Sequence, residues 1–264
     1  MLRLVILVLA IHSVNAQIIS PVDHLNGIGP SGIATDLKTS FFESPISMIS
    51  YEKPTIETGY YMPYSQNHIG MYTAAITLPF EKFTIGSGVS RYGSEVMHSN
   101  QIIIQGAFNR KNFVFGSAIK LSQLYMKEAG SYHTFSIDLS GRFNISETSA
   151  FAASVKNFTQ STWNNSEETP SYSEYRLAFG HEISNKVTIH TALKSSSEDN
   201  LTAAIAMTSV LNDLFRIDLG SYINPASIFG GIHFEYQRIK INYNTQWIPR
   251  LPFHHGINLQ VSIK

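Results

Sequence analysis

Phe135-Ser-Ile-Asp-Leu-Ser-Gly-Arg-Phe-Asn-Ile145 decides the fold. Phe135, Ile137, Leu139, Gly141, Phe143 and Ile145 share one parity, and Ser136, Asp138, Ser140, Arg142 and Asn144 share the other. In a strand, successive side chains point to opposite faces, so this stretch is a strand with one apolar and one polar face. Moving outward along the chain, the same alternation recurs. Tyr175, Leu177, Phe179 and Ile183 alternate with Arg176, Ala178, Gly180 and Glu182. Phe215, Ile217 and Leu219 alternate with Arg216, Asp218 and Gly220, and Ile257, Leu259, Val261 and Ile263 with Asn258, Gln260 and Ser262.

The pattern predicts about fourteen strands, over 55–64, 68–80, 83–92, 97–108, 113–126, 132–145, 149–159, 174–184, 186–196, 200–211, 214–224, 227–237, 239–249 and 254–264. Most are longer than the roughly 5–6 residues usual in soluble sheets, and they match the 9–11 that a tilted membrane strand needs. Tight connections such as Glu81-Lys82 and Asn212-Asp213 alternate with longer ones, the longest a polar run around Trp163 to Glu168. Short turns at one rim and long loops at the other are the plan of an outer-membrane barrel. Lipid satisfies no backbone hydrogen bonds, so a spanning sheet must close on itself. The fold class is therefore all-β, a closed antiparallel transmembrane β-barrel of about 14 strands. Tyr60, Tyr61, Tyr64, Phe80, Tyr92, Tyr132, Tyr236, Tyr243 and Trp247 are candidates for its interfacial aromatic girdles.

Composition agrees. Of 264 residues only 14% are charged, against roughly 25% in soluble domains. The mean hydropathy of −0.03 is too low for a helical membrane protein. Lys+Arg and Asp+Glu are both 19, which gives no basis for nucleic-acid binding. With no cysteine there is no thiolate metal site and no cysteine nucleophile.

Residues 1–16 have the layout of a secretory signal peptide: Arg3, an apolar run from Leu4 to Ile11, and Val14-Asn15-Ala16 as a small-residue cleavage site. The expected address is the cell outer membrane, with cleavage after Ala16. Residues 17–50 break the alternation and are expected to form an N-terminal plug or lead-in, with Phe41, Phe42, Pro45 and Ile46 as the plug residues; 51–264 form the barrel. On the polar faces Asp138, Arg142, Arg176, Glu182, Arg216, Asp218, Glu235 and Lys240 are expected to point into the lumen. Their mixed signs suit mutual neutralisation better than a single-sign selectivity ring.

No catalytic motif is visible. His98 and Ser99 are adjacent, so on a strand they face opposite ways and cannot share a proton. His254 and His255 diverge for the same reason and form no metal site. The chain is expected to be non-enzymatic, with no cofactor and no metal.

Three groups of residues carry a family resemblance: the Gly-rich Gly27 to Ala34 followed by Glu43 to Ser47, Gly230 to Tyr236 with Ile241 to Asn244, and Pro252 to Lys264. In these the chain resembles the fourteen-stranded barrels of the FadL superfamily, and among them the PorV/PorQ-type barrels of Bacteroidetes. That resemblance implies an accessory subunit of an outer-membrane protein-secretion machine of the type IX kind, or of an assembly machine. Its partners would be outer-membrane lipid and other outer-membrane or periplasmic proteins. The alternative it implies is a FadL-like transporter of hydrophobic small molecules.

Overall fold

The computed structural model describes residues 29–34, 39–164, 173–196, 201–224 and 226–263. The expected signal peptide, residues 1–16, lies outside them. Fourteen strands follow two short 3₁₀ turns, Gly29–Ala34 and Pro45–Ser50. They are β1 Thr55–Met62, β2 Gly70–Pro79, β3 Phe83–Gly93, β4 Met97–Arg110, β5 Phe113–Met126, β6 Gly130–Asn144 and β7 Ser149–Lys156. There follow β8 Glu174–Ser184, β9 Val187–Ser196, β10 Thr202–Val210, β11 Phe215–Ile223, β12 Ala226–Tyr236, β13 Ile239–Trp247 and β14 His254–Ser262. A third 3₁₀ turn, Pro63–Ser65, lies in the β1–β2 loop.

Each strand pairs antiparallel with its sequence neighbours, and β1 pairs with β14 from Thr55↔Ser262 to Met62↔His255, which closes the barrel. Closure leaves no row of unpaired backbone groups, as the alternation requires. The two-residue turns Lys111-Asn112 and Gln237-Arg238 put their first residue at φ 55° and 54°, the positive φ that tight hairpins demand. They mark the short-turn rim, where β1 starts and β14 ends. By the asymmetry of such barrels this is the periplasmic side.

The two faces follow the sequence parity. Phe135 and Phe143 of β6 are exposed, while Ser136, Asp138, Ser140 and Arg142 between them are buried in the lumen. Outward positions elsewhere carry Ile104, Phe113, Leu121, Ile205, Leu219 and Ile232, all exposed. An apolar surface this continuous does not face water. Phe113 to Leu121 of β5, tilted as such strands are, covers roughly 20 Å, close to the height of an outer-membrane apolar band. Phenylalanine pairs edge the short-turn rim: Phe80–Phe83 stacked at 4.5 Å, and Phe113–Phe143 at 5.5 Å and Phe215–Phe234 at 5.3 Å, both tilted, between ring centroids. At the opposite rim Tyr60 and Tyr72 face outward, 4.9 Å apart.

Three of the girdle expectations on the strands need correction. Tyr61 is buried in the lumen, Tyr92 packs against the same interior cluster, and Tyr132 has the inward parity of β6, opposite buried Leu124. Each has an outward neighbour, Tyr60, Arg91 and His133, and adjacent strand residues cannot share a face.

Candidate functional site: the lumen and its N-terminal segment

Residues 39–50 sit inside the barrel, in its short-turn half. Pro45 starts the second 3₁₀ turn, where its missing N–H costs nothing, and Pro45 to Met48 are buried. Phe41 and Phe42 meet edge to face at 5.0 Å and are buried. They pack with Met48, Tyr51, Ile103 and Ala107. Ile46 joins a second cluster with Ile33, Ala34, Val114 and alanines of β7 to β10. Each large side chain so buried contributes roughly 1.5–3 kcal/mol. The Pro45–Ser50 turn lies against β2 to β6, the Gly29–Ala34 turn against β7 to β10, and the two touch, so together they bridge the lumen.

The wall is shaped to receive them. A Cβ at Gly86 or Gly88 of β3 would lie 2.6 Å from the Phe41 ring. One at Gly116 of β5 would lie 2.8 Å from Pro45 Cβ, and one at Gly180 of β8 would lie 2.5 Å from the Ala34 carbonyl oxygen. Within the segment, Gly32 leaves room for the Glu43 carboxylate, whose Oε1 would be 2.3 Å from an added Cβ.

One carboxylate ties the segment to the wall. Glu57 of β1 is buried and accepts from Ser40 Oγ at 2.5 Å, Phe41 N–H at 3.0 Å and Tyr51 O–H at 2.9 Å. From β14 it accepts Asn258 Nδ2 at 2.8 Å and Gln260 Nε2 at 3.2 Å. All five donors are neutral: two from the segment, Tyr51 immediately after it, and two from the wall. Burial, then the neighbouring Glu57 charge, holds the Tyr51 hydroxyl pKa well above its usual value, so it stays a donor. Gln105 Nε2 donates to the Phe41 carbonyl at 2.9 Å and adds a second tie.

The charges expected in the lumen divide into clusters. Asp138 pairs with Lys120 and accepts the Asn157 N–H at 2.9 Å. Arg176 pairs with Glu174, which also holds Lys156 and Lys194, each at 3.3 Å. Asp218 meets Arg216 at 3.6 Å and His233 Nε2 at 2.5 Å, and His233 Nδ1 bonds Asn242 at 2.7 Å. Arg142 and Lys240 are buried on the inner face. Glu182 stands apart. It is exposed at the short-turn end of β8, where the register shifts between Glu182 and Ser184. Glu235 is half-buried near the same rim, opposite Lys240 in the register. Sequence reading passed over Glu57, Lys120, Lys156, Glu174 and Lys194. Each has the inward parity of its strand, which is the signal that could have found them.

Toward the long-loop rim, above the N-terminal segment, the lumen becomes aromatic. The Tyr61 hydroxyl bonds His254 Nδ1, and Tyr64 meets the His254 ring edge-on at 4.3 Å. Tyr92 packs near Tyr61 and Met71, and Tyr222 lies 4.8 Å from Phe229. His255 faces the other way and bonds the Tyr243 hydroxyl at 2.7 Å.

The adjacent His98 and Ser99 make no pair: His98 Nδ1 bonds the Ser94 carbonyl at 3.1 Å. A pair not foreseen, Ser149 Oγ and His181 Nδ1 at 2.9 Å, lies exposed at the short-turn rim. The His181 ring stacks on Phe179 at 6.4 Å, and among the described residues it has no hydrogen-bond partner besides Ser149.

The fold and lumen together define a closed outer-membrane-type barrel with its N-terminal segment folded inside. No protein-family model and no curated protein matches the chain. Solved structures do. The toluene transporter TodX of Pseudomonas putida is 9% identical with a TM-score of 0.61, over 92% of this chain and 99% of TodX. A FadL homologue of Pseudomonas aeruginosa is 9% identical, TM-score 0.53, over 91% of this chain and 96% of its own. The Acinetobacter baumannii outer membrane protein Omp33 is 7% identical, TM-score 0.51, over 80% of this chain and 99% of its own. The chain shares the barrel fold of these outer-membrane proteins, two of which are a transporter and a FadL homologue.

Proposed function

We propose that this protein is a non-enzymatic, FadL-like outer-membrane channel for hydrophobic small molecules, closed at rest by residues 39–50. The observation that carries this reading is the apolar patch of wall around an apolar segment, set in a lumen whose other inward positions are largely polar and charge-paired. Porin lumens are polar, and here Ala75, Ile103, Ala107, Val114, Ala118 and Ala178 line the part of the wall that receives the segment. The aromatic chamber near the long loops receives an apolar solute first. The N-terminal segment blocks its way to the periplasmic rim. Its ties to Glu57 are hydrogen bonds from neutral donors, which entering water replaces one for one, so the closure is reversible. TodX, a toluene transporter, shares the fold and so agrees with this reading.

The PorV/PorQ-type accessory role in secretion draws support from the filled lumen, a feature that a plugged channel shares. Purification separates the two. The protein is extracted in mild detergent by a tag placed in the 159–173 connection and analysed by mass spectrometry. The expected result is a lone barrel carrying a bound apolar small molecule. A near-stoichiometric secretion component in its place would overturn the channel reading in favour of the accessory one.

A further inference from the structure

The outer wall carries a built feature that the channel reading does not use. A groove of about 620 Å³ runs across β2 to β6 on the outer face, toward the long-loop rim. Its upper edge is one register row, Tyr72↔Arg91↔Asn100↔Gln123↔His133. Its lower edge is the next outward row, Ala74↔Val89↔Ile102↔Leu121. The backbone between them forms the floor, so the groove has a polar, cationic lip and an apolar lip two residues below.

The position of the polar lip carries the argument. Among the described residues, no charged side chain occupies an outward position of β2 to β6 between this row and the phenylalanines of the short-turn rim. Arg91 is therefore the first charge met on leaving the apolar band, at the level of lipid headgroups. It is exposed, and among the described residues no carboxylate is within ion-pair reach of it. Asn100 Nδ2 donates to Gln123 Oε1 at 3.1 Å, which fixes the amides between the two basic residues. A guanidinium held above an exposed aliphatic row matches an amphiphile with an anionic head and acyl chains.

We propose that this groove is a binding site for a phosphate-bearing lipid of the outer leaflet. The phosphate rests on Arg91 and His133, and an acyl chain lies over Val89, Ile102 and Leu121. The lipid is part of the barrel's working surface and fixes its depth on this side of the wall.

The test uses the full chain in mild detergent with equal parts of phosphatidylglycerol and neutral phosphatidylcholine, and native mass spectrometry counts the retained lipids. Wild type is expected to retain the anionic lipid several-fold over the neutral one. Arg91→Ala with His133→Ala is expected to retain both equally, while Arg250→Ala, an exposed arginine elsewhere, keeps the preference. Both variants should show wild-type heat-dependent migration, since the altered side chains are exposed. Equal retention by wild type, or a preference that survives the double substitution, would overturn the proposal. So would displacement of the lipid by millimolar inorganic phosphate, because the site would then recognise the anion without its chains.

Discussion

Glu57→Ala is expected to unseat the N-terminal segment and raise the passage of apolar solutes through the barrel. The substitution strips the common acceptor from Ser40, Phe41, Tyr51, Asn258 and Gln260. A buried donor left without its acceptor costs about 1–3 kcal/mol. The two wall amides regain water once the segment leaves, so the penalty falls mainly on the docked state. A loss of roughly 3 kcal/mol of docking free energy multiplies the open population about a hundredfold. Strand pairing is untouched, because the Glu57 backbone bonds run to β2 and β14 regardless of its side chain. Cells carrying the variant should take up a hydrophobic naphthylamine fluorophore faster than those carrying wild type, while the barrel keeps its heat-dependent gel migration. Glu57→Gln should fall between, since an amide still accepts but without the charge.

The second large effect concerns the barrel itself. Glu174→Ala is expected to destabilise it by about 3–5 kcal/mol, the range for removing one partner from a buried ionic cluster. Arg176, Lys156 and Lys194 converge on this one carboxylate, and both Arg176 and Glu174 are almost fully buried. Without it the three cations, on adjacent strands β7, β8 and β9, lose the counter-charge they share. The measure is the temperature at which the folded band converts to the unfolded one on a semi-native gel. A drop confined to this variant, with Glu182→Ala unchanged at the exposed rim, is the expected pattern.

Strand parity made the barrel wall legible. The stretch Phe135 to Ile145 already assigns its lipid face and lumen face, and β6 obeys that assignment throughout. The lumen was less legible, for a physical reason. Parity tells which way a side chain points, not what it meets. Glu57 sits in Thr55-Ile-Glu-Thr-Gly59, where nothing local shows that a segment some sixteen residues earlier folds back onto it. The docking surface was written as absences: Gly86, Gly88, Gly116 and Gly180 at inward positions, and alanines at 118, 152, 178 and 192. A strand that repeatedly drops its inward side chains leaves a volume that must be filled. That is the signal in the sequence for an interior segment. The aromatic chamber was hidden because Tyr61 and Tyr92 resemble girdle residues until parity is applied to each.

The measurement that tests the account most directly is a reversible covalent lock. The protein has no cysteine, so Pro45→Cys with Gly116→Cys introduces one possible disulfide. An added Cβ at Gly116 lies 2.8 Å from Pro45 Cβ, and a relaxation of about 1 Å brings the pair to disulfide spacing. If the segment gates the lumen, fluorophore uptake by cells carrying the oxidised protein stays at the level of cells without the barrel. Reduction then restores uptake to that of wild type. Uptake that is the same in both redox states, or that never exceeds that of cells lacking the barrel, would contradict the account.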